Sequence, residues 1–207
     1  MPLSSIPHVR GLLLAAGSGS RMGGPKALLR PSGAGPTLVE RAVAVLLEGG
    51  CDGVTVVVGA AAAEVAAVVA GGFPEPSTVG VDVVPCPEWA EGMGASLRAG
   101  LAAAATRRDV EALVVSLVDL PDVDAPVVHR LLQSREGHWT AALSRAAYGG
   151  RPGHPTLIGR DHWTGVVTVA RGDRGARDFF HAQEHDLVEC GDLATGRDVD
   201  APTDLDS

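Results

Sequence analysis

Two cationic side chains, Arg21 and Lys26, stand at fixed offsets in a glycine-rich segment near the start of the chain. The four glycines between positions 17 and 24 allow positive φ angles and let backbone N–H groups approach an anion closely. The apolar run 12–16 just before them predicts a buried strand that delivers the loop. This combination favours binding of a nucleoside triphosphate, although a purely structural glycine turn would use the same glycines.

The loop fits neither of the two common phosphate-binding motifs. The Walker A motif requires Gly-Lys-Ser/Thr, whereas Lys26 follows Pro25 and precedes Ala27. The dinucleotide fingerprint G-x-G-x-x-G fails because Met22 occupies the position of its third glycine. The loop is therefore predicted to hold phosphate in another way.

Carboxylates follow the fourth predicted strand and recur near the end of the sequence. Asp119 follows the apolar residues of the run ALVVSLVDLP, at the strand end where open α/β sheets bind ligands. Carboxylate oxygens are the ligands that Mg²⁺ prefers. A turn that only caps the strand is the alternative. Asp198 or Asp200, in RDVDAP, offers the same ion a second carboxylate unless both belong to a solvated tail. Asp122 is predicted to be a solvated loop residue.

Composition and charge limit the classes of function. With 207 residues, 45% of them hydrophobic, the chain is expected to form a single domain over residues 1–207. The formal charge of −8 disfavours a nucleic-acid surface, and no apolar run reaches the roughly 18 residues that a membrane span needs. Three scattered cysteines without C-x-x-C spacing predict neither a disulfide framework nor a zinc site, which favours a cytoplasmic location.

Strands and helices alternate in the first half of the chain. Thr37 and Glu40 form a capping-box pattern that predicts the start of a helix. Strands are predicted near 54–58 and 81–84, with an alanine-rich helix over 61–70 between them. This alternation is typical of a mostly parallel α/β sheet.

The second half continues the pattern less regularly. Helices are predicted from Met93 to Ala105 and from Asp124, which is expected to be an N-cap. Short strands over 140–143 and 156–158 are expected to flank an irregular insert, SRAAYGGRPGHP, and another short strand is expected at 187–188.

The glycine-rich segment resembles the signature L-A-A-G-x-G-x-R-M-G-x-x-K, with which nucleotidyltransferases of the molybdenum cofactor type begin. The matching positions are Leu14, Ala15, Ala16, Gly17, Gly19, Arg21, Met22, Gly23 and Lys26. The segments EGMGAS, DLP, GRPGHP, GDRGAR and DVDAP then follow in the order of that family. By this resemblance the chain is identified as a member of the family, nearest its cytidylyltransferase branch.

The resemblance implies a three-layer α/β/α fold, Rossmann-like, with a mostly parallel mixed sheet. It implies catalytic roles for Arg21, Lys26 and Asp119. Nucleotide contacts are implied for Leu14, Ala15, Ala16, Gly17, Gly19, Gly23, Gly92, Gly94 and Ser96. Acceptor contacts are implied for Arg151, His154 and Asp173, and Mg²⁺ ligands for Asp119 and Asp200. Close packing of the glycines and a turn or cap role for His154 and Asp173 are the plainer alternatives.

The implied reaction transfers CMP from CTP to the terminal phosphate of molybdenum-bearing molybdopterin and releases pyrophosphate. CTP is expected rather than GTP because the guanylyltransferase branch usually has L-A-G-G and G-G-x-D-K, from which Ala16 and Pro25 depart. Two alternatives stay open. One is a nucleotidyltransferase for another phosphorylated acceptor, such as a sugar phosphate, a polyol phosphate or phospholactate. The other is a non-catalytic carrier that delivers cofactor to a molybdenum hydroxylase client.

Overall fold

The computed structural model describes residues 8–31, 35–73, 80–135 and 137–199, without the side chain of Arg21. In these ranges the strands are β1 (Val9–Ala15), β2 (Gly53–Val58), β3 (Gly80–Pro85), β4 (Ala112–Leu117), β5 (Leu143–Tyr148), β6 (Arg151–Gly159) and β7 (Asp186–Glu189). The α-helices are α1 (Leu38–Glu48), α2 (Ala62–Gly72), α3 (Met93–Ala105), α4 (Ala125–Gln133), α5 (Trp163–Val169) and α6 (Arg177–Ala182).

The described strands form one mixed sheet in the order β3-β2-β1-β4-β6-β5-β7. Strands β1 to β4 are mutually parallel where they pair, and β7 lies parallel to β5. Only β6 runs antiparallel to its neighbours, β4 and β5. The prediction of a mostly parallel mixed sheet is confirmed, and β1 and β4 lie side by side at its centre.

Helices cover both faces of the sheet and give the predicted three layers. One buried cluster joins the sheet to α1, α2 and α4, and a second joins its other face to α3, α5 and α6. The central strand β1 contributes to both, because Leu13 faces the first cluster and Leu12 the second. Burial on both faces explains the uninterrupted apolar run, and full burial of one such leucine contributes about 1.5–3 kcal/mol.

Two helix starts follow from local signals in the sequence. The predicted capping box is confirmed, since Glu40 N–H donates to Thr37 Oγ1 at 3.3 Å and Thr37 N–H donates to Glu40 Oε2 at 2.7 Å. Asp124 occupies the N-cap position of α4, but its side chain makes no capping bond. That carboxylate instead accepts a hydrogen bond from Arg41 of α1 at 2.8 Å.

The predictions of a strand over 140–143 and of an irregular insert after it are wrong, because Trp139–Ala141 form a 3-10 helix and residues 143–159 form a β-hairpin. Strands β5 and β6 extend to Tyr148 and Arg151, and the turn between them contains Gly149 and Gly150 at φ 60° and 74°. Prolines suggested an irregular backbone because they lack an N–H group. They are tolerated here because β6 pairs with β4 only from Thr156 onwards, so the proline-containing part has a strand on one side alone.

All three cysteines are buried free thiols. Burial disfavours the thiolate and raises the pKa of Cys51 to about 12. Cys51 is therefore a packing residue and not a nucleophile. None of the helices in the described ranges is long and apolar enough to cross a membrane.

Candidate active site

The glycine loop, residues 16–24, leaves β1 at the carboxyl edge of the sheet. Gly19 has φ 57°, and a Cβ atom there would collide with the carbonyl oxygen of Gly24, so this turn requires glycine. The loop closes on itself, since Met22 N–H donates to Gly19 O at 2.8 Å. Gly17 is exposed, and a Cβ there would meet no atom within 4 Å. The backbone around Gly17 is therefore accessible to a ligand.

A first cavity of about 360 Å³ lies between the glycine loop, the end of β4 and the start of α3. Six of the residues predicted to bind nucleotide line this cavity: Leu14, Ala16, Gly17, Gly19, Gly92 and Ser96. The predicted catalytic residues Lys26 and Asp119 and the predicted acceptor contact Asp173 also line it. Ala15, Gly23 and Gly94 are not part of its lining. Trp89 and Met93 complete an apolar wall. The backbone of Arg21 lies in the short 3-10 helix Ser20–Met22, while its side chain is outside the described part of the structure.

Lys26 and Asp119 form an ion pair in this cavity. Lys26 Nζ lies 2.8 Å from Asp119 Oδ2, and the two side chains are 18% and 19% exposed. Asp119 follows β4 and Lys26 follows the glycine loop, so neighbouring central strands bring them together. The cavity thus presents a cation suited to phosphate oxygens beside a carboxylate suited to a divalent cation.

The glycines at the start of α3 have a packing role. A Cβ on Gly92 would lie 2.5 Å from Asp173 Oδ1, and one on Gly94 would lie 2.7 Å from the backbone nitrogen of Arg171. Gly92 also has φ 117°, a conformation that other residues rarely adopt. Both glycines therefore let the segment 170–173 approach the helix closely, which places the Asp173 carboxylate by the N-terminus of α3.

A second cavity of about 280 Å³ adjoins the first and shares Leu14, Met93, Leu117 and Asp173 with it. Its lining includes His154 and three cationic residues, Arg145, Arg174 and Arg177. Lys26 and Asp119 line only the first cavity. Two ligands that occupied these cavities would therefore meet at the wall around Asp173.

His154 is an uncharged side chain in this cationic setting. Burial, together with the nearby guanidinium groups of Arg145 and Arg177, lowers the pKa of His154 to about 4. A neutral imidazole both donates and accepts a hydrogen bond at neutral pH. His154 is thus suited to bind a polar ligand group but not to add positive charge.

Arg151, predicted to contact the acceptor, is not part of the lining of this cavity. It is exposed at the β5–β6 turn and lines, with Arg197, a surface depression that adjoins the second cavity at Pro152, Gly153 and Gly196. Sequence reasoning missed Arg145 and Arg177, which line that cavity instead. The available signal was Arg145 itself, a charged residue in a short strand, LSRAAY, most of whose other residues are apolar.

The C-terminal segment crosses the end of β4. Val199 N–H donates to the backbone carbonyl of Asp119 at 2.9 Å, and Thr195 N–H donates to Asp122 Oδ2 at 2.6 Å. Asp122, predicted to be a solvated loop residue, thus anchors this segment. Asp198 lines the second cavity, and Asp200 lies outside the described residues. No group of three or more His, Cys, Asp or Glu side chains in the described ranges is arranged to hold a metal ion by itself.

The family described as the MobA-like NTP transferase domain matches residues 11–187. This range includes the glycine loop and all the residues that line the two cavities, apart from Gly196 and Asp198 of the second cavity. The chain belongs to the MobA-like NTP transferase family. The predicted resemblance is confirmed at this level, and the nucleotidyltransferase class goes with the family.

Two relatives of this chain carry different activities in their names. Nicotine blue oxidoreductase of Paenarthrobacter nicotinovorans is 41% identical over 207 residues, covering 95% of this chain and 94% of that protein. Molybdenum cofactor guanylyltransferase of Rhodobacter capsulatus is 32% identical over 203 residues, covering 95% and 87%. Membership of the family therefore leaves the reaction partner open.

Solved structures share the fold over almost the whole chain. A nucleotidyl transferase from Methanothermobacter superposes with a TM-score of 0.76 at 24% identity, covering 95% of this chain and 94% of that one. The Rv0371c protein of Mycobacterium tuberculosis H37Rv gives 0.71 at 27% identity, covering 98% and 100%. A complex of that protein with manganese gives 0.65 at 24% identity, covering 88% and 87%. These likenesses agree with the nucleotidyltransferase-like fold.

Proposed function

We propose that this chain transfers CMP from CTP to the terminal phosphate of molybdenum-bearing molybdopterin and releases pyrophosphate. The observation that carries the proposal is the pair of adjoining cavities. The first combines the glycine loop with Lys26 and Asp119, and the second is lined by arginines and a neutral histidine. A triphosphate in the first cavity would present its α-phosphorus to an acceptor that enters from the second.

The chemistry needs positioning and charge neutralisation more than proton transfer. A phosphate oxygen of the acceptor attacks the α-phosphorus in line, a new P–O bond forms, and the bond to the β-phosphate oxygen breaks as pyrophosphate leaves. The backbone N–H groups of the glycine loop and the Lys26 ammonium would hold the triphosphate. We also assign Arg21 to this role. The attacking phosphate is already an anion, so no general base is assigned.

The carboxylates fit a divalent cation of the magnesium type. Asp119 supplies a hard oxygen donor inside the first cavity, and the hydrogen bond from Val199 N–H to the Asp119 carbonyl brings the segment that contains Asp198 to the same strand end. We propose Asp119 and Asp200 as the residues that would hold Mg²⁺. When bound, this ion would neutralise charge on the triphosphate oxygens. The manganese complex of a protein of the same fold supports a divalent ion.

The choice of CTP rests on Ala16 and Pro25, at which this chain departs from the guanylyltransferase pattern. GTP is the alternative nucleotide, because one relative of this chain is named a guanylyltransferase. Another phosphorylated acceptor, or delivery of cofactor to a molybdenum hydroxylase without turnover, would use the same nucleotide cavity.

A second candidate function is a reductase activity, favoured by the 41% identity to nicotine blue oxidoreductase. A reductase needs an electron donor, such as a reduced nicotinamide dinucleotide. Because the glycine loop lacks the dinucleotide fingerprint, the N–H groups of the loop and Lys26 would have to hold the pyrophosphate of this donor in another way. Hydride would pass from the dihydronicotinamide C4 to an oxidised aromatic acceptor of the nicotine blue type, and a proton from solvent would complete its reduction.

One experiment separates these functions. The purified chain is incubated with Mg²⁺, molybdenum-loaded molybdopterin and either CTP or GTP, and pyrophosphate and the nucleotide-bearing product are followed by mass. A parallel sample receives NADH or NADPH with nicotine blue, and loss of the reduced nicotinamide absorbance is followed. Product with CTP alone is expected. Product with GTP would overturn the base assignment, whereas hydride transfer without pyrophosphate release would replace nucleotidyl transfer by the reductase.

No product in either sample, from protein that still binds CTP with Mg²⁺, would contradict the molybdopterin acceptor and direct the search to other phosphorylated acceptors. Absence of any nucleotide binding would favour the carrier.

A further inference from the structure

The guanidinium of Arg145 is held in place within the second cavity. Its carbon atom lies 5.0 Å from the ring centroid of Phe180, a side chain that is only 2% exposed. Nε and Nη2 donate weakly to the carbonyl of Gly153, at 3.4 and 3.3 Å. A guanidinium has five N–H donors, so most of them stay available to a ligand. Arg145 is therefore a fixed donor group on the wall of the cavity.

Arg177 adds a second positive charge to the same cavity. It lies at the start of α6, and burial, together with the charge of Arg177, lowers the pKa of Arg145. Asp173 and Asp198 also line this cavity, but within the described residues no carboxylate oxygen lies within 4.0 Å of either guanidinium, whereas the neighbouring Arg174 is paired with Asp178 at 3.3 Å. Two like charges beside one cavity, neither of them paired with a carboxylate, favour the binding of an anion.

We propose that Arg145 and Arg177 form an anion subsite that selects acceptors bearing a phosphate or carboxylate group. The identification of the bound anion as the acceptor rests on the proposed function. Anion binding itself can be measured without turnover. Lys26 and Asp119 line only the first cavity. The subsite therefore acts on the acceptor and not on the nucleoside triphosphate.

The test titrates phenyl phosphate, benzoate and uncharged benzyl alcohol into the full-length chain by calorimetry. Proteins compared are the unmodified chain, Arg145→Gln, Arg177→Gln and the control Arg108→Gln, which removes an exposed arginine that lines neither cavity. We expect each of the first two substitutions to weaken anion binding about tenfold or more, because a hydrogen bond to a charged group is lost. Arg108→Gln should leave the affinity within about twofold, and the binding of benzyl alcohol should respond to none of the substitutions.

The two anions separate the possible ligand groups. Stronger binding of phenyl phosphate indicates a phosphate subsite, and stronger binding of benzoate a carboxylate subsite. The proposal is overturned if the unmodified chain binds neither anion, if Arg108→Gln weakens binding as much as the other two substitutions, or if Arg145→Gln and Arg177→Gln leave anion binding unchanged. Arg177 is exposed, so its variant decides the matter should Arg145→Gln fail to fold.

Binding of CTP with Mg²⁺ is measured on the same proteins. Unchanged CTP affinity beside weakened anion affinity is the expected result, since the nucleotide and the anion occupy different cavities. Absence of CTP binding in the unmodified chain would contradict the proposed nucleotidyltransferase and leave the anion subsite standing. Equal losses of CTP and anion affinity in Arg145→Gln and Arg177→Gln would overturn the subsite as an acceptor site.

Discussion

The ammonium nitrogen of Lys26 lies 2.8 Å from a carboxylate oxygen of Asp119, and this ion pair joins the glycine loop to the end of β4 across 93 positions of sequence. Each charge is largely removed from solvent, so the partner compensates much of the cost of its burial. Under the proposed function, a magnesium triphosphate would engage the same two groups. The pair holds the ammonium and the carboxylate side by side in the first cavity.

Replacing Lys26 by alanine is expected to abolish turnover while the fold stays intact. The substitution removes a cation that would contact the triphosphate of the bound nucleotide, and loss of one such contact lowers kcat/KM by about 10²-fold or more. Pyrophosphate release measures the activity, and circular dichroism measures the fold. Arg108→Ala, which removes an exposed arginine beyond α3, is the control and should retain full activity. Near-normal turnover of Lys26→Ala would contradict the assigned role.

Gly17 and Gly19 should respond differently to alanine although both belong to the glycine loop. Gly19→Ala forces a Cβ into the Gly24 carbonyl at positive φ, so we expect a stability loss of about 1–3 kcal/mol in urea unfolding. Gly17→Ala meets no atom within 4 Å and should leave stability within about 0.5 kcal/mol. Its methyl group narrows the approach to the loop backbone, and the dissociation constant for CTP should rise. Equal effects of the two substitutions on stability would disprove the described loop geometry.

Alanine at Gly94 tests the close approach of α3 to the segment 170–173. Its Cβ would lie 2.7 Å from the backbone nitrogen of Arg171, and backbone cannot move aside cheaply, so about 1–3 kcal/mol of stability should be lost. Gly71→Ala in α2 is the matched control because nothing lies within 4 Å of the added atom. It should stabilise the helix by up to about 1 kcal/mol. Urea denaturation of both variants gives the comparison, and a neutral Gly94→Ala would indicate looser packing.

The parts of this fold that sequence predicts are those with local causes. The helix over Met93–Ala105 and the capping box of Thr37 depend on residues within one or two turns, and the structure has both. The position of Asp119 follows from the length of one apolar run. The hairpin of β5 and β6 has a local cause as well, since Gly149 and Gly150 form its turn at positive φ, and the prolines of β6 obscured this signal. The pairing of β6 with β4 joins segments about 40 residues apart, and no local pattern contains that information.

The same distinction applies to the candidate site. The glycine loop and Lys26 are contiguous in sequence, so their shared cavity was predictable. The second cavity combines Arg145 of β5 with Arg177 of α6, and only tertiary packing brings these together. Asp122 is a further case, since its role as an anchor depends on Thr195, which lies 73 positions away.

His154 predicts a specific dependence of stability on pH. Its pKa is about 4 in the folded protein, below the value of 6.5 for an unperturbed histidine. Between these values the unfolded chain binds a proton that the folded chain does not, so stability falls as pH decreases through this window. Above about pH 6.5 this titration does not lower the free energy of unfolding. By about pH 5 it has lowered the free energy of unfolding by about 2 kcal/mol, and below about pH 4 the decrease is complete.

His154→Gln removes this titration, so the variant should lose about 2 kcal/mol less than the unmodified chain between about pH 7.5 and about pH 5. Urea unfolding at the two pH values measures the difference, and it is independent of any constant cost of the substitution. The exposed His181 provides the control, since His181→Gln should follow the pH dependence of the unmodified chain. If His154→Gln also follows that dependence, the pKa of His154 in the folded protein lies close to 6.5, and the second cavity gains a positive charge between about pH 7.5 and about pH 5.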